Sequence, residues 1–210
     1  TNEVMYDTTA VRENGDIASL RFEGGLFGTI PKGYWRIKGY FYDSERGIPG
    51  AVVNNKWKNS QRQWDTSYFV QGIFQKSIAP KYDLLVNAKY ADDGMRYLNP
   101  DTTLMLIDNT FKQKELYIST ANRYRISKKW DSVISADAQY NTLTSDVAGF
   151  VYPKRLTSLI AVASAADLGK VKMQGSILAT LVREQINSGN TAADDSVSTA
   201  PNKKELTPAF

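Results

Sequence analysis

Along much of this chain, apolar and polar residues alternate with a period of two. The clearest case is residues 130–141, WDSVISADAQYN. One side carries Trp130, Ile134, Ala136, Ala138 and Tyr140, with Ser132 as its polar exception. The other carries Asp131, Ser135, Asp137, Gln139 and Asn141, with Val133 as its apolar exception. A helix would repeat its apolar residues every three or four positions, so this spacing predicts a strand. Residues 115–126 show the same design, with Leu116, Ile118, Tyr124 and Ile126 opposite Glu115, Ser119, Arg123 and Arg125. Only Ser127, Lys128 and Lys129 separate the two, a length that suits a hairpin turn.

The remainder follows suit. Residues 1–16 are polar without clear periodicity, and a first strand sets Ala18, Leu20, Phe22, Gly24 and Leu26 against Ser19, Arg21 and Glu23. A Pro/Gly turn at 29–33 leads to a second strand, with Trp35, Ile37 and Phe41 opposite Arg36 and Lys38. A long loop is expected over 43–61 and a less regular third strand over 68–74. A turn around Pro80 precedes a fourth strand, with Leu84, Val86, Ala88 and Tyr90 opposite Asp83, Asn87 and Lys89. Further long loops are expected over 91–110 and 142–156. A seventh strand, near 157–165, rests on position and β-branched content and not on alternation. After a turn at 166–169, the eighth strand sets Met173, Gly175, Ile177, Ala179 and Leu181 against Lys172, Gln174, Ser176 and Thr180. From Gln185 the polar tail reads as a fourth long loop.

Connections therefore alternate short and long. The expected fold is all-β, an antiparallel meander of about eight long strands with its short turns at one end. Outer-membrane barrels are built this way: inner turns only reverse the chain, while outer loops meet the solute. A soluble β-sandwich also alternates, but favours shorter strands and Greek-key connections.

Composition narrows the chemistry. The chain has 210 residues, 42% of them hydrophobic, with 26 basic against 22 acidic side chains. The basic residues are scattered, which gives no nucleic-acid footprint. With no cysteine and no histidine, disulfides, thiol nucleophiles, imidazole acid–base catalysis and most zinc or copper sites are excluded. No phosphate-binding glycine loop is present either. We expect neither enzymatic activity nor a cofactor. No apolar run reaches the roughly 18 residues that a membrane helix needs, a test that strands evade. The N-terminus shows no secretory signal.

Three stretches, YFYDSERGIPGAVV, SQRQWDTSYFVQ and KYDLLVNAKYADDGMRY, resemble TonB-dependent outer-membrane receptors of the vitamin B12 and siderophore type. ISADAQYNTLTSDVAGFVYPKRLTSLIAV and GSILATLV are similar to the continuation of the same barrels. The resemblance spans roughly residues 17–210. It implies a globular plug domain followed by a barrel of about 22 strands. Residues 1–210 show no plug, no energy-coupling box and too few strands to close, and so read as one partial barrel domain, an internal slice of the wall. The final residues, stepping back from Phe210 through Pro208, Leu206 and Lys204, do not read as an amphipathic strand. The implied location is the outer membrane of a Gram-negative cell. The implied partners are outer-membrane lipid, the receptor's own plug and remaining strands, the energy-coupling TonB protein and an extracellular small-molecule ligand.

Arg46, Trp64, Tyr90, Arg96 and Tyr97 are the loop and loop-flanking residues expected to touch that ligand. For the segment 46–50, turn geometry alone explains the Gly and Pro. Asp92-Asp93-Gly94 and Asp194-Asp195 offer oxygen ligands for calcium but lack the EF-hand spacing, so solvated loop carboxylates are expected. Aromatic belts at a membrane interface account for most of Trp64, Tyr68, Phe69, Tyr90 and Tyr97. Of Lys112, Lys114, Arg123 and Arg125, parity places only the two arginines on the polar face with Glu115, where pairing with acids is expected. A complete eight-stranded barrel and a soluble β-sandwich binding module are the alternatives to a receptor slice.

Overall fold

The computed structural model describes residues 13–49, 60–101, 106–188, 197–199 and 203–209, with 187–188 and the last two stretches described by backbone alone. Eight long strands run in sequence: β1 (Ile17–Ile30), β2 (Gly33–Ile48), β3 (Gln61–Ala79), β4 (Tyr82–Asn99), β5 (Ile107–Ser127), β6 (Trp130–Ser145), β7 (Val151–Asp167) and β8 (Lys172–Ser188). Each pairs antiparallel with the next, and β9 (Val197–Thr199) and β10 (Lys203–Ala209) both pair with β8. All belong to one sheet whose outermost strands, β1 and β10, are not bonded to each other. The sheet is therefore open. No helix occurs among the described residues.

The four predicted turns stand where expected, after β1, β3, β5 and β7, which in a meander is one end of the sheet. In the first, Pro31 presets its own φ and Lys32 takes the left-handed φ of 60° that reverses the chain. Gly33 then starts β2, where a Cβ would come within 2.2 Å of the Gln75 carbonyl oxygen.

The long loops expected at the other end are largely strand. β2 and β3 reach into the segment 43–61, leaving residues 49–60 between them. β4 and β5 take up most of 91–110, and only residues 146–150 separate β6 from β7. Here neither face of the sheet is apolar, so hydrophobic period two, the signal used to find strands, is missing. The tail is likewise corrected: β8 runs on to Ser188, and 203–209 line up along it from Val182 to Ser176. Pro208 has no N–H to give, and the outermost strand is where a ladder loses least by that.

Register carries each strand's parity across the whole sheet. One cross-strand row is Leu26, Ile37, Gly72, Ala88, Ile118, Ala138, Ser158 and Leu181, one residue from each of β1 to β8. This row lies in the middle of an apolar face. A row on the opposite face reads Glu23, Tyr40, Phe69, Ala91, Glu115, Asn141, Arg155 and Glu184. Ile134, Ala136, Ala138, Ile177 and Ala179 share the apolar face, and Asp137, Gln139, Gln174, Ser176 and Thr180 the polar one.

Among the described residues, nothing packs on the apolar face. Leu26 is 70% exposed and Ile177 54%, and Ala91, at 5%, is the one buried hydrophobic residue among those described. A β-sandwich would need a second sheet over these residues, and the described strands form only one.

Several polar groups on the apolar face satisfy one another. The Trp130 indole N–H donates to Ser164 Oγ at 2.7 Å, and Ser132 and Ser164 share a 2.8 Å hydrogen bond, which explains the polar exception at 132. The Tyr82 hydroxyl donates to Asn122 Oδ1 at 2.7 Å while its ring stacks on Tyr124.

Gly33→Ala should destabilise the fold by about 1–3 kcal/mol, because the methyl meets a backbone carbonyl that cannot step aside. Gly39, with open space around its Cα, should accept alanine with little change. Chemical denaturation of both variants checks the contrast, and equal effects would refute this account of the turn.

Candidate functional site

Two aromatic rows border the apolar face. At the turn end these are Trp35 and Phe74, directly paired, then the pair Tyr82 and Tyr124, then Trp130. Toward the other end stand Phe41 and Tyr68, directly paired, then Tyr90, and Tyr140 in Tyr90's row. The turn-end border descends as strand number rises, whereas the other drops by two residues from β3 to β4 and then stays level to β6. The row of Trp35 and Phe74 continues through Val86 and Thr120 to Ala136, whereas the border residue on β6 is Trp130. The step from 136 to 130 is roughly 20 Å along the strand over roughly 19 Å across four strand spacings. Strands inclined at roughly 45° to a level band produce that slope.

Beyond the second border the strands continue as an extension with polar side chains on both faces. Ion pairs join neighbouring strands diagonally there. Arg46 reaches Asp65 at 3.4 Å, Arg62 reaches Glu45 at 2.6 Å, and Arg96 reaches Asp108 at 2.7 Å. Arg62 also holds Asp16 at 2.9 Å. Arg96 binds its partner with two N–H groups, both at 2.7 Å, and lies 5.1 Å from the ring centroid of Trp64. That double hydrogen bond, with the positive charge behind it, holds the Asp108 carboxyl below the usual carboxylate range.

The five expected ligand residues do not converge. Trp64, Tyr90 and Arg96 have the parity of the apolar face, and Arg46 and Tyr97 that of the polar face. Trp64 and Arg96 are direct cross-strand partners and pack together. Tyr90 belongs to the aromatic border, its ring 6.3 Å from that of Tyr68. Arg46 and Tyr97 share a row with Gln63 between them.

The other candidates divide the same way. Asp92 and Asp93 point to opposite faces of β4 and so cannot share an ion: Asp92 accepts from the Tyr68 hydroxyl and Asp93 from Ser67. No metal-binding cluster occurs among the described residues. Asp194, Asp195 and Gly50 lie outside them. Lys112 and Lys114 are on the apolar side, whereas Arg123 and Arg125 are on the polar side, where they pair with Asp131 at 2.5 Å and Asp83 at 2.6 Å.

Two features emerge on the polar face. The first is a belt at the level of the apolar band. Glu23 holds Lys38 at 2.7 Å, Lys38 and Lys89 flank the Phe69 ring at 5.9 and 5.6 Å, Lys89 pairs with Glu115 at 3.0 Å, and Gln139 donates to Glu115 at 2.8 Å. These contacts link β1 to β6 without a break. The second is a depression of about 420 Å³ in the extension, between Tyr42, Asp65, Asp93, Met95, Phe111 and Gln113. Arg46 guards its edge through Asp65. Ser44, directly opposite Asp65 and only 2% exposed, has a hydroxyl with no partner among the described residues. Such a surface accepts hydrogen bonds from a solute's O–H and N–H groups and offers Met95 and Phe111 to its apolar parts. Sequence reading passed over Asp65, Met95 and Phe111 and weighed Asp93 only as a calcium ligand, because only register shows that three strands bring them together.

Compared with models of known protein families and with curated proteins, the chain matches none.

The Arg96–Asp108 clasp sets a pH dependence. The carboxyl titrates lower in the folded sheet than in the unfolded chain, so its contribution is complete above the unfolded value of about 4. It fades as pH falls through the lowered folded value. Asp108→Asn should therefore reduce stability at neutral pH and make little difference in strong acid. Denaturation of both proteins across the acid range checks this, and a penalty independent of pH would refute it.

Proposed function

We propose that this chain is a length of wall from a transmembrane β-barrel, and that the barrel is an outer-membrane receptor of the TonB-dependent type. The observation that carries this reading is an unpartnered apolar band between two aromatic rows, backed by an ion-paired polar face. On β6 the band runs from Trp130 to Tyr140, roughly 33 Å along the strand, and the incline reduces this to roughly 25 Å. That height suits the hydrocarbon layer of an outer membrane. Acyl chains accept no hydrogen bonds, so a strand can cross them only if its backbone groups are paired with neighbours. The ladder from β1 to β8 meets that demand.

In this reading the polar face lines the lumen, the turn end faces the periplasm and the strand extensions stand outside the cell. The extensions and their depression capture a large, scarce solute, such as a siderophore or a cobalamin, with both hydrogen-bonding and apolar surface. A plug domain within the completed barrel then rearranges, driven by the TonB protein of the inner membrane. The chain contributes wall and binding surface and performs no covalent chemistry. A complete eight-stranded barrel is the poorer reading, because β1 and the last strands are not bonded to each other.

Three experiments test this. Disrupting the gene should abolish energy-dependent uptake of labelled ferric siderophore or cobalamin, and unchanged uptake of both would dismiss the receptor reading. In receptors retaining a single tryptophan, lipids brominated on their acyl chains should quench Trp130 strongly and leave Trp64 bright. The reverse order would mean that the band is misplaced. In the intact receptor, Ala138→Arg should cost about 2–4 kcal/mol by reversible unfolding from lipid vesicles, whereas Gln139→Arg should cost little. Alanine has almost no side chain to lose, so the cost at 138 reports charge forced into lipid. A larger cost at 139 would mean that the faces are reversed.

A further inference from the structure

On three strands of the apolar face, the first residue beyond the last apolar one is a cation. On β5 Leu116 is followed outward by Lys114 and then Lys112, on β7 Leu156 by Lys154, and on β8 Leu181 by Arg183. Between them β6 offers Thr142, and Tyr140 stands directly below it. Lys112, Lys154 and Arg183 have no ion pair among the described residues, and Lys114 reaches only Asp92, at 3.7 Å with the lysine side chain 58% exposed. The apolar-side positions of β6, β7 and β8 carry no carboxylate. This contrasts with the polar face, where Arg21, Lys38, Lys89, Arg123, Arg125 and Arg155 each meet an acid. It contrasts also with the turn end, where Lys76 is the only cation of that parity within β1 to β8.

Unpaired cations gathered where the neighbouring positions of β6, β7 and β8 carry no carboxylate invite an external anion. A cation seated a single pleat above an apolar, aromatic-edged band stands level with the headgroups of whatever lipid covers that band. We infer that Lys112, Lys114, Lys154 and Arg183 form a docking strip for the phosphate groups of an anionic lipid in the outer leaflet. Tyr140 and Leu156 lie beneath its acyl chains, and the Thr142 hydroxyl supplies a further donor. Charge complementarity and height select this occupant over a protein partner, which would need neither an acyl-depth apolar surface nor a strip of cations at its edge. The inference rests on the membrane-wall reading.

The test uses the full receptor refolded into phosphatidylcholine vesicles, alone or with bisphosphorylated lipid A. Lys112→Gln/Lys154→Gln/Arg183→Gln and the single variants Lys154→Gln and Arg183→Gln are compared with wild type. Folding is read as heat-modifiable mobility, and lipid A retained per receptor is measured after transfer to zwitterionic detergent. Wild type and variants should fold alike in phosphatidylcholine, while retained lipid A falls roughly fivefold for each cation removed. The singles carry the comparison if the triple variant fails to fold. Equal retention by wild type and variants overturns the proposal. So does displacement of lipid A by millimolar inorganic phosphate, which would mark a site for the free ion. Failure of the wild-type receptor to fold in phosphatidylcholine alone would instead refute the membrane-wall reading, and with it this one.

Discussion

Backbone hydrogen bonding between neighbouring strands holds this sheet together, and little else is available to do so. With Ala91 the only buried hydrophobic residue described, the usual driving force for a soluble domain is missing. The ladder from β1 to β8 has to satisfy the N–H and C=O groups, and length follows from that demand. Strands of 14 to 21 residues are far longer than the five or six typical of soluble domains. They are long enough to cross an apolar layer on an incline and still project beyond it.

The same constraint orders the side chains. Several polar groups on the apolar face are satisfied within it, as in the Trp130–Ser164–Ser132 cluster and in the Tyr82–Asn122 bond. The opposite face, free to meet water, links its charges across strands instead, from Glu23 through Lys38, Phe69 and Lys89 to Glu115. Partly exposed pairs of this kind stabilise by little individually. Their effect is to hold neighbouring strands in one register, because a one-residue slip would turn Lys89 and Glu115 toward the apolar side.

The proposed function concentrates where the apolar constraint ends. Past Tyr68, Tyr90 and Tyr140 neither face need be apolar, and the chain places its Arg–carboxylate clasps, the Trp64–Arg96 contact and the depression around Met95 and Phe111 there. The clasps keep the strands paired where no apolar layer enforces pairing, so the proposed binding surface stands on ladder and not on loose loop. A rigid surface loses less entropy when it captures a solute.

Read alone, the sequence determined the strands of the apolar band, the four turns and the two faces. Most of these follow from local alternation and from Pro and Gly at reversals, the seventh strand from position and β-branched content, and the turn at 127–129 from its length. It also limited the chemistry, since a chain without His or Cys lacks the side chains for many catalytic devices. Tertiary structure decided what depends on register. It lengthened β2 to β7 into regions where both faces are polar and periodicity falls silent, and it made 203–209 a strand by laying them along β8. It divided the five ligand candidates, because Trp64, Tyr90 and Arg96 differ in parity from Arg46 and Tyr97 once β2, β3 and β4 are aligned. Alternation within a strand tells which residues share a side, but which residue on the next strand stands opposite is settled only by the ladder.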